Sequence, residues 1–224
     1  MKVIKKLFNV KPGEGKMVLT FFLFSFFNIA MGLTAKTAKD AYFLSRFEKS
    51  ILPLMFLVIA IAIAPILGGY TKIAKKLAPK LMFMLTTSIF LFSFIISQSL
   101  ISGLMVPAIY VWVEIVVAIS MIQFWAFAAE SFKPQQAKRL FGIIAGGGSF
   151  AVMLIGMNLR PFVNAFGTDE LLYLSSGFMV LAFLFGLLSM NYMKTDSDKK
   201  SRTKSGASKP KKGKDPFVVG IASI

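Results

Sequence analysis

The residues of this chain that could do chemistry are few, and they stand where a membrane would make them costly. Glu114 interrupts the apolar run from Leu104 to Ala129, and Lys36, Lys39 and Asp40 follow the run that starts at Met17. At 1.5 Å per residue Glu114 lies roughly 15 Å into its run, near a bilayer midplane, where a carboxylate must face the bundle interior and find a partner. Lys39 or Lys36 is the best-placed cation. If the first helix continues to Phe47, Lys36 and Asp40 are neighbours one turn apart, and Lys36 and Lys39 share a face. Two readings of Lys36-Thr37-Ala38-Lys39-Asp40 stay open. It is an interfacial cap whose lysines snorkel to headgroups, or a cationic wall of a polar cavity that meets an anionic substrate. Glu114 likewise serves an interhelical ion pair, or substrate or proton coupling. Ala118, Met121 and Trp125 follow it at helical spacing, so Trp125 shares its face and is open to base stacking or to plain packing.

Other chemistry is excluded by composition. The chain has no Cys and no His. It therefore has no disulfide, zinc-thiolate site, Ser-His triad or near-neutral histidine switch. Its ten acidic residues include no pair with the spacing of a magnesium-diphosphate enzyme. The expectation is a protein that is not an enzyme and uses no metal or cofactor. The glycines at 142, 146, 147, 148 and 156 do not form a phosphate loop, because no Lys-Ser or Lys-Thr follows them and they lie inside an apolar span. Gly142 and Gly146 have the small-xxx-small spacing of a helix-packing contact. Glu130 reads as ordering a short loop, and Arg160 beside Pro161 as a headgroup anchor. Thr168, Asp169 and Glu170 read as the cap and acidic first turn of a last helix.

The elements that position these groups are membrane helices. Of 224 residues 56% are hydrophobic, with 24 Phe and 13 Met, and only 16% are charged, against about 25% in a soluble domain. Mean hydropathy is +0.70. Six stretches approach the ~20 residues a span needs. They run from Met17 to Leu33 and on towards Leu44, Ile51 to Tyr70, Leu81 to Ile101, Leu104 to Ala129, Leu140 to Leu159, and Leu171 to Tyr192. The first lacks a small-residue cleavage site and reads as a retained helix, not a signal peptide.

A net charge of +16 first points to nucleic acid, but its placement points elsewhere. Of the 26 basic residues, 21 fall in the N-terminus, the second-to-third and fourth-to-fifth connections and the tail. Only Lys36, Lys39, Arg46, Lys49 and Arg160 face the other side. The positive-inside rule puts both termini in the cytoplasm, and no specific nucleic-acid partner is expected. The chain divides into a basic cytoplasmic N-terminus (1–16), a six-helix transmembrane bundle (17–193), a disordered basic cytoplasmic linker (194–214) and an apolar restart (215–224). The restart reads as the start of a truncated or missing second half.

Two stretches carry a family resemblance. Lys36-Thr37-Ala38-Lys39-Asp40-Ala41-Tyr42-Phe43-Leu44-Ser45-Arg46-Phe47, followed by Leu52-Pro53-Leu54, resembles the first external region of the nucleotide transporters. That family comprises the ATP/ADP translocases of plastids and intracellular bacteria and their free-living bacterial relatives. Glu114, Phe124-Trp125-Ala126-Phe127-Ala128 and Ala137-Lys138-Arg139-Leu140-Phe141-Gly142 are similar to its fourth-helix acid, its Phe-Trp pair and its entry to helix five. The resemblance covers about residues 30 to 160. It implies an all-α polytopic membrane protein, both termini inside, forming the N-terminal half of a twelve-helix major-facilitator-like transporter. The function so implied is ATP:ADP or broader nucleotide exchange. Lys39 and Glu114 match the family's functional lysine and glutamate, with Asp40 completing the motif and Lys36 beside it. The partners implied are a nucleotide, the bilayer and a second six-helix half in cis or trans; the location implied is a bacterial inner (cell) membrane. The family's other essential charges lie in the second half. The rival reading is a non-transporting anchor or regulatory module derived from a transporter half.

Overall fold

The computed structural model describes residues 11, 13–99, 105–168 and 170–192, with backbone alone for 98 and 99. The described residues form α1 (Gly15–Leu44), α2 (Leu52–Ala74), α3 (Pro79–Ser99), α4 (Val106–Ser131), α5 (Pro134–Phe166) and α6 (Glu170–Met190), with a 3-10 turn at Lys49–Ile51. There is no strand among them. All six helices are long and apolar enough to cross a membrane, the architecture of an integral membrane protein. The basic segment before Lys11, Pro12, residues 100–104, Asp169, Met193, the linker 194–214 and the apolar restart 215–224 lie outside the described residues.

Local sequence explains the boundaries. A proline stands in the first turn of α2, α4 and α5, where its missing N–H costs no hydrogen bond. Gly167, at φ +91°, closes α5 in a conformation that suits glycine, and its N–H donates to the Val163 carbonyl at 2.9 Å. α1 is continuous for 30 residues, roughly 45 Å against a hydrocarbon core of about 30 Å. Lys36, Lys39 and Asp40 are therefore on the helix itself. It ends at Leu44, short of Phe47.

α1 and α4 are the central helices, with half of their most apolar window buried, whereas only 6% of the α2 window is. α1 packs against α4, α5 and α6, and α4 packs against α2, α3 and α6, with α3 also touching α6. Lipid offers no hydrophobic drive for helices to associate, so close fit and buried polar bonds must hold them. The Asn28 amide donates to the Ser120 carbonyl at 3.2 Å, and the Ser175 hydroxyl to the Met31 carbonyl at 3.1 Å. At the end of the bundle where α1 starts, Phe21, Phe24, Phe83, Phe124, Phe127 and Phe132 interlock. Towards the other end Met31, Ala35, Phe43, Tyr110 and Val113 form a second core.

The spacing argument for Gly142 and Gly146 does not hold. Both have open space where a Cβ would sit. The close approach of α5 to α1 falls at Gly147, where a Cβ would run into the Phe22 carbonyl, and at Gly148 against Ile29 and Ser25. The glycines of this run point to different sides of one helix, and only the rotation of α5 about its axis decides which of them meet α1. The glycine run is helical throughout.

Candidate functional site

α1 and α4 cross with their charged residues facing each other. One Glu114 carboxylate bridges two lysines: Oε2 lies 2.9 Å from Lys36 Nζ and Oε1 lies 3.0 Å from Lys39 Nζ. Lys39 Nζ also reaches Asp40 Oδ1 at 3.2 Å and sits 3.5 Å from the centre of the Tyr110 ring, a cation–π contact. Asp40 thus pairs with its chain neighbour Lys39 and not, as helical spacing implied, with Lys36. Exposure grades across the cluster, from 3% for the Lys39 side chain to 20% for Glu114 and 42% for Lys36.

The chemistry follows from charge and access. Two cations and two carboxylates sum to zero, which offsets the cost of holding Lys39 and Glu114 away from water. Each Glu114 oxygen occupies a lysine that would otherwise be free to bind an anion. Lys36 is reachable while Lys39 is shielded, so an entering anion meets Lys36 first. Lysine does this as a flexible point charge, without the bidentate fork of arginine.

The other expected residues lie apart from this cluster. Trp125, roughly 16 Å further along α4, packs against Phe124 and Phe141 and is 39% exposed. Arg160 is exposed on α5. Glu130 lines a cavity between α2, α3 and α4 together with Lys75.

Two groups escaped the sequence reading. Tyr110 stands one turn before Glu114 on α4, a spacing that signals a shared face. The second is a clasp at the starts of α1 and α5. Arg139 Nη2 donates to both Glu14 oxygens, at 2.8 and 2.6 Å, and the Gln136 amide donates to Glu14 Oε1 at 2.9 Å. The Lys11 backbone N–H completes it at 3.0 Å. Burial pushes the Glu14 carboxyl up, but the Gln136 and Lys11 hydrogen bonds and the Arg139 and Lys11 charges outweigh it and hold the group below the usual carboxylate range. A lone acid in a basic terminus gives no hint of its partner over a hundred residues away.

Comparison of the chain with family models, with curated proteins and with solved structures finds no match.

Proposed function

We propose that this chain is the N-terminal six-helix half of a nucleotide transporter, exchanging ATP and ADP or related nucleotides by alternating access with a second six-helix bundle. The observation that carries the reading is the Glu114 carboxylate shared between Lys36 and Lys39 on the two central helices. Phosphate oxygens compete with Glu114 for these lysines: substrate takes the lysines, and Glu114 re-engages them when it leaves. An empty site thereby stays charge-balanced. The resemblance of Lys36–Phe47 and of Glu114 with Phe124–Ala128 to the nucleotide transporters points to the same residues.

The helix pairing lends independent support. Exchanging α1 with α4, α2 with α5 and α3 with α6 turns the α1–α5 contact into α4–α2 and the α1–α6 contact into α4–α3, and all four contacts are present, whereas the smaller α4–α6 contact has no comparable α1–α3 counterpart. Such exchange is expected of two three-helix repeats nested in one transporter half, with substrate bound near the midplane. Trp125 packs in this reading and does not stack a base.

The test is uptake of labelled ATP and ADP by cells expressing the complete transporter. Loss of one lysine–phosphate contact of about 1.5–3 kcal/mol corresponds to roughly 10- to 100-fold weaker binding. Lys39→Ala should lose exchange on that scale, and Glu114→Ala should lose exchange because no carboxylate competes the substrate off the lysines. Wild-type exchange by both variants would reject the site, and absence of nucleotide uptake by the wild type would favour the anchor reading.

A further inference from the structure

A second site lies at the basic end of the bundle, away from the charged cluster. A cavity of about 310 Å³ opens between α2, α3 and α4, the lower end of the size range for small-molecule sites. Its wall is largely apolar, with Met82, Phe83, Ala126 and Phe127. It reaches from Glu130 at the end of α4 inward to Gln123, roughly 10 Å at 1.5 Å per residue. There Tyr70 and Gln123 line it, and the Gln123 amide donates to the Thr86 hydroxyl. α2 and α3 make few direct contacts beyond their connecting turn, which leaves the cavity unsealed between them.

The rim carries Lys75 and Glu130, and the sequence on either side of Lys75 is basic. Lys75 lines the opening, and Lys72, Lys76 and Lys80 lie within five residues of it in sequence, all four exposed. Among the described residues none of these four lysines is in an ion pair. Glu130, the acid on the rim, already has a partner. A largely apolar slot with Lys75 on its rim and three more exposed lysines close by in sequence, at the end assigned to the cytoplasm, matches a molecule with an acyl chain and a negative headgroup. Basic pockets between membrane helices on that side hold such headgroups. A soluble nucleotide or free phosphate would match the lysines and leave the apolar wall unused.

We infer that this cavity binds one anionic phospholipid, with an acyl chain against Met82, Phe83 and Phe127 and the headgroup phosphate held by Lys75 and its neighbouring lysines. The inference is independent of the nucleotide reading, because neither Lys36, Lys39 nor Glu114 takes part.

Native mass spectrometry of the full chain tests it, with phosphatidylglycerol and phosphatidylcholine of identical acyl chains offered at equal concentration in detergent. At about fivefold per engaged lysine, the wild type should retain phosphatidylglycerol at least fivefold over phosphatidylcholine. K72Q/K75Q/K76Q/K80Q should abolish that preference while keeping the basic tail, which excludes the tail as the source. Ala126→Phe, which fills the slot, should lower phosphatidylglycerol retention severalfold with helicity by circular dichroism unchanged. The surface lysine variant decides the matter if Ala126→Phe fails to fold. Unchanged preference in the lysine variant overturns the proposal. So does full retention by a folded Ala126→Phe, or complete displacement by inorganic phosphate, either of which would reduce the site to a surface anion patch.

Discussion

Within the charged cluster the four side chains are not equivalent. Lys39 is enclosed by two carboxylates and the Tyr110 ring, whereas Lys36 is half in the open. Removing Glu114 leaves two lysines facing each other in the bundle. Breaking a buried pair from one side costs about 3–5 kcal/mol, so Glu114→Ala should lower the thermal midpoint in detergent sharply. Lys36→Ala, nearer the surface, should cost about 1 kcal/mol or less. The double variant Lys39→Met/Glu114→Met removes both members of the inner pair and should recover most of the stability lost in Glu114→Ala. It should not recover nucleotide exchange. Recovery of both would mean that the cluster only staples α1 to α4. Glu114 and the lysines are legible in sequence because a membrane makes a charge conspicuous. Their pairing is not: Lys36 and Lys39 are both within reach of an acid on a facing helix, and helix rotation lets Glu114 take both and leaves Asp40 to Lys39.

Among elements, α1 and α5 approach closely at Gly147 and Gly148 and are joined again by the clasp at their starts. Gly147→Ala pushes a methyl into the Phe22 carbonyl, which is backbone and cannot rotate away. The expected loss is about 1–3 kcal/mol, while Gly146→Ala should be tolerated; thermal unfolding of both variants in one detergent compares them. The clasp sets a pH dependence. Glu14 is held below the usual carboxylate range in the folded chain, so its contribution is fully present above the unfolded-state value. That contribution disappears as pH falls through the lowered folded value. Glu14→Gln should therefore flatten the acid side of a midpoint-against-pH curve measured from pH 7 downward, and an unaltered curve would show that the clasp contributes nothing.

For the whole molecule, the chain's lack of cysteine makes topology directly measurable. Ser50→Cys, in the exposed turn between α1 and α2, should react with a membrane-impermeant maleimide in intact cells. Ala78→Cys, in the lysine-rich turn between α2 and α3, should react only after permeabilisation. Labelling of the reverse pattern would invert the bundle and move the lipid-binding end to the other leaflet. The exposed apolar surface of α2, including Leu54, Phe56 and Ile61, is ordinary for a helix that meets lipid or another bundle.

Composition and spacing alone marked six apolar segments long enough to cross a membrane and the charges that are anomalous in them, with five of the six spans placed to within a few residues; α5 runs six and seven residues past the Leu140–Leu159 expectation at its two ends. These properties depend on transfer from water to hydrocarbon, which acts residue by residue and needs no knowledge of neighbours. The tertiary structure decided what depends on helix rotation and pairing. That includes the shared Glu114 carboxylate, the shift of the packing contact to Gly147 and Gly148, the Glu14–Arg139 clasp and the lysine-rimmed cavity. A hydrophobic segment is compatible with any angle about its own axis, and only packing against its neighbours selects one.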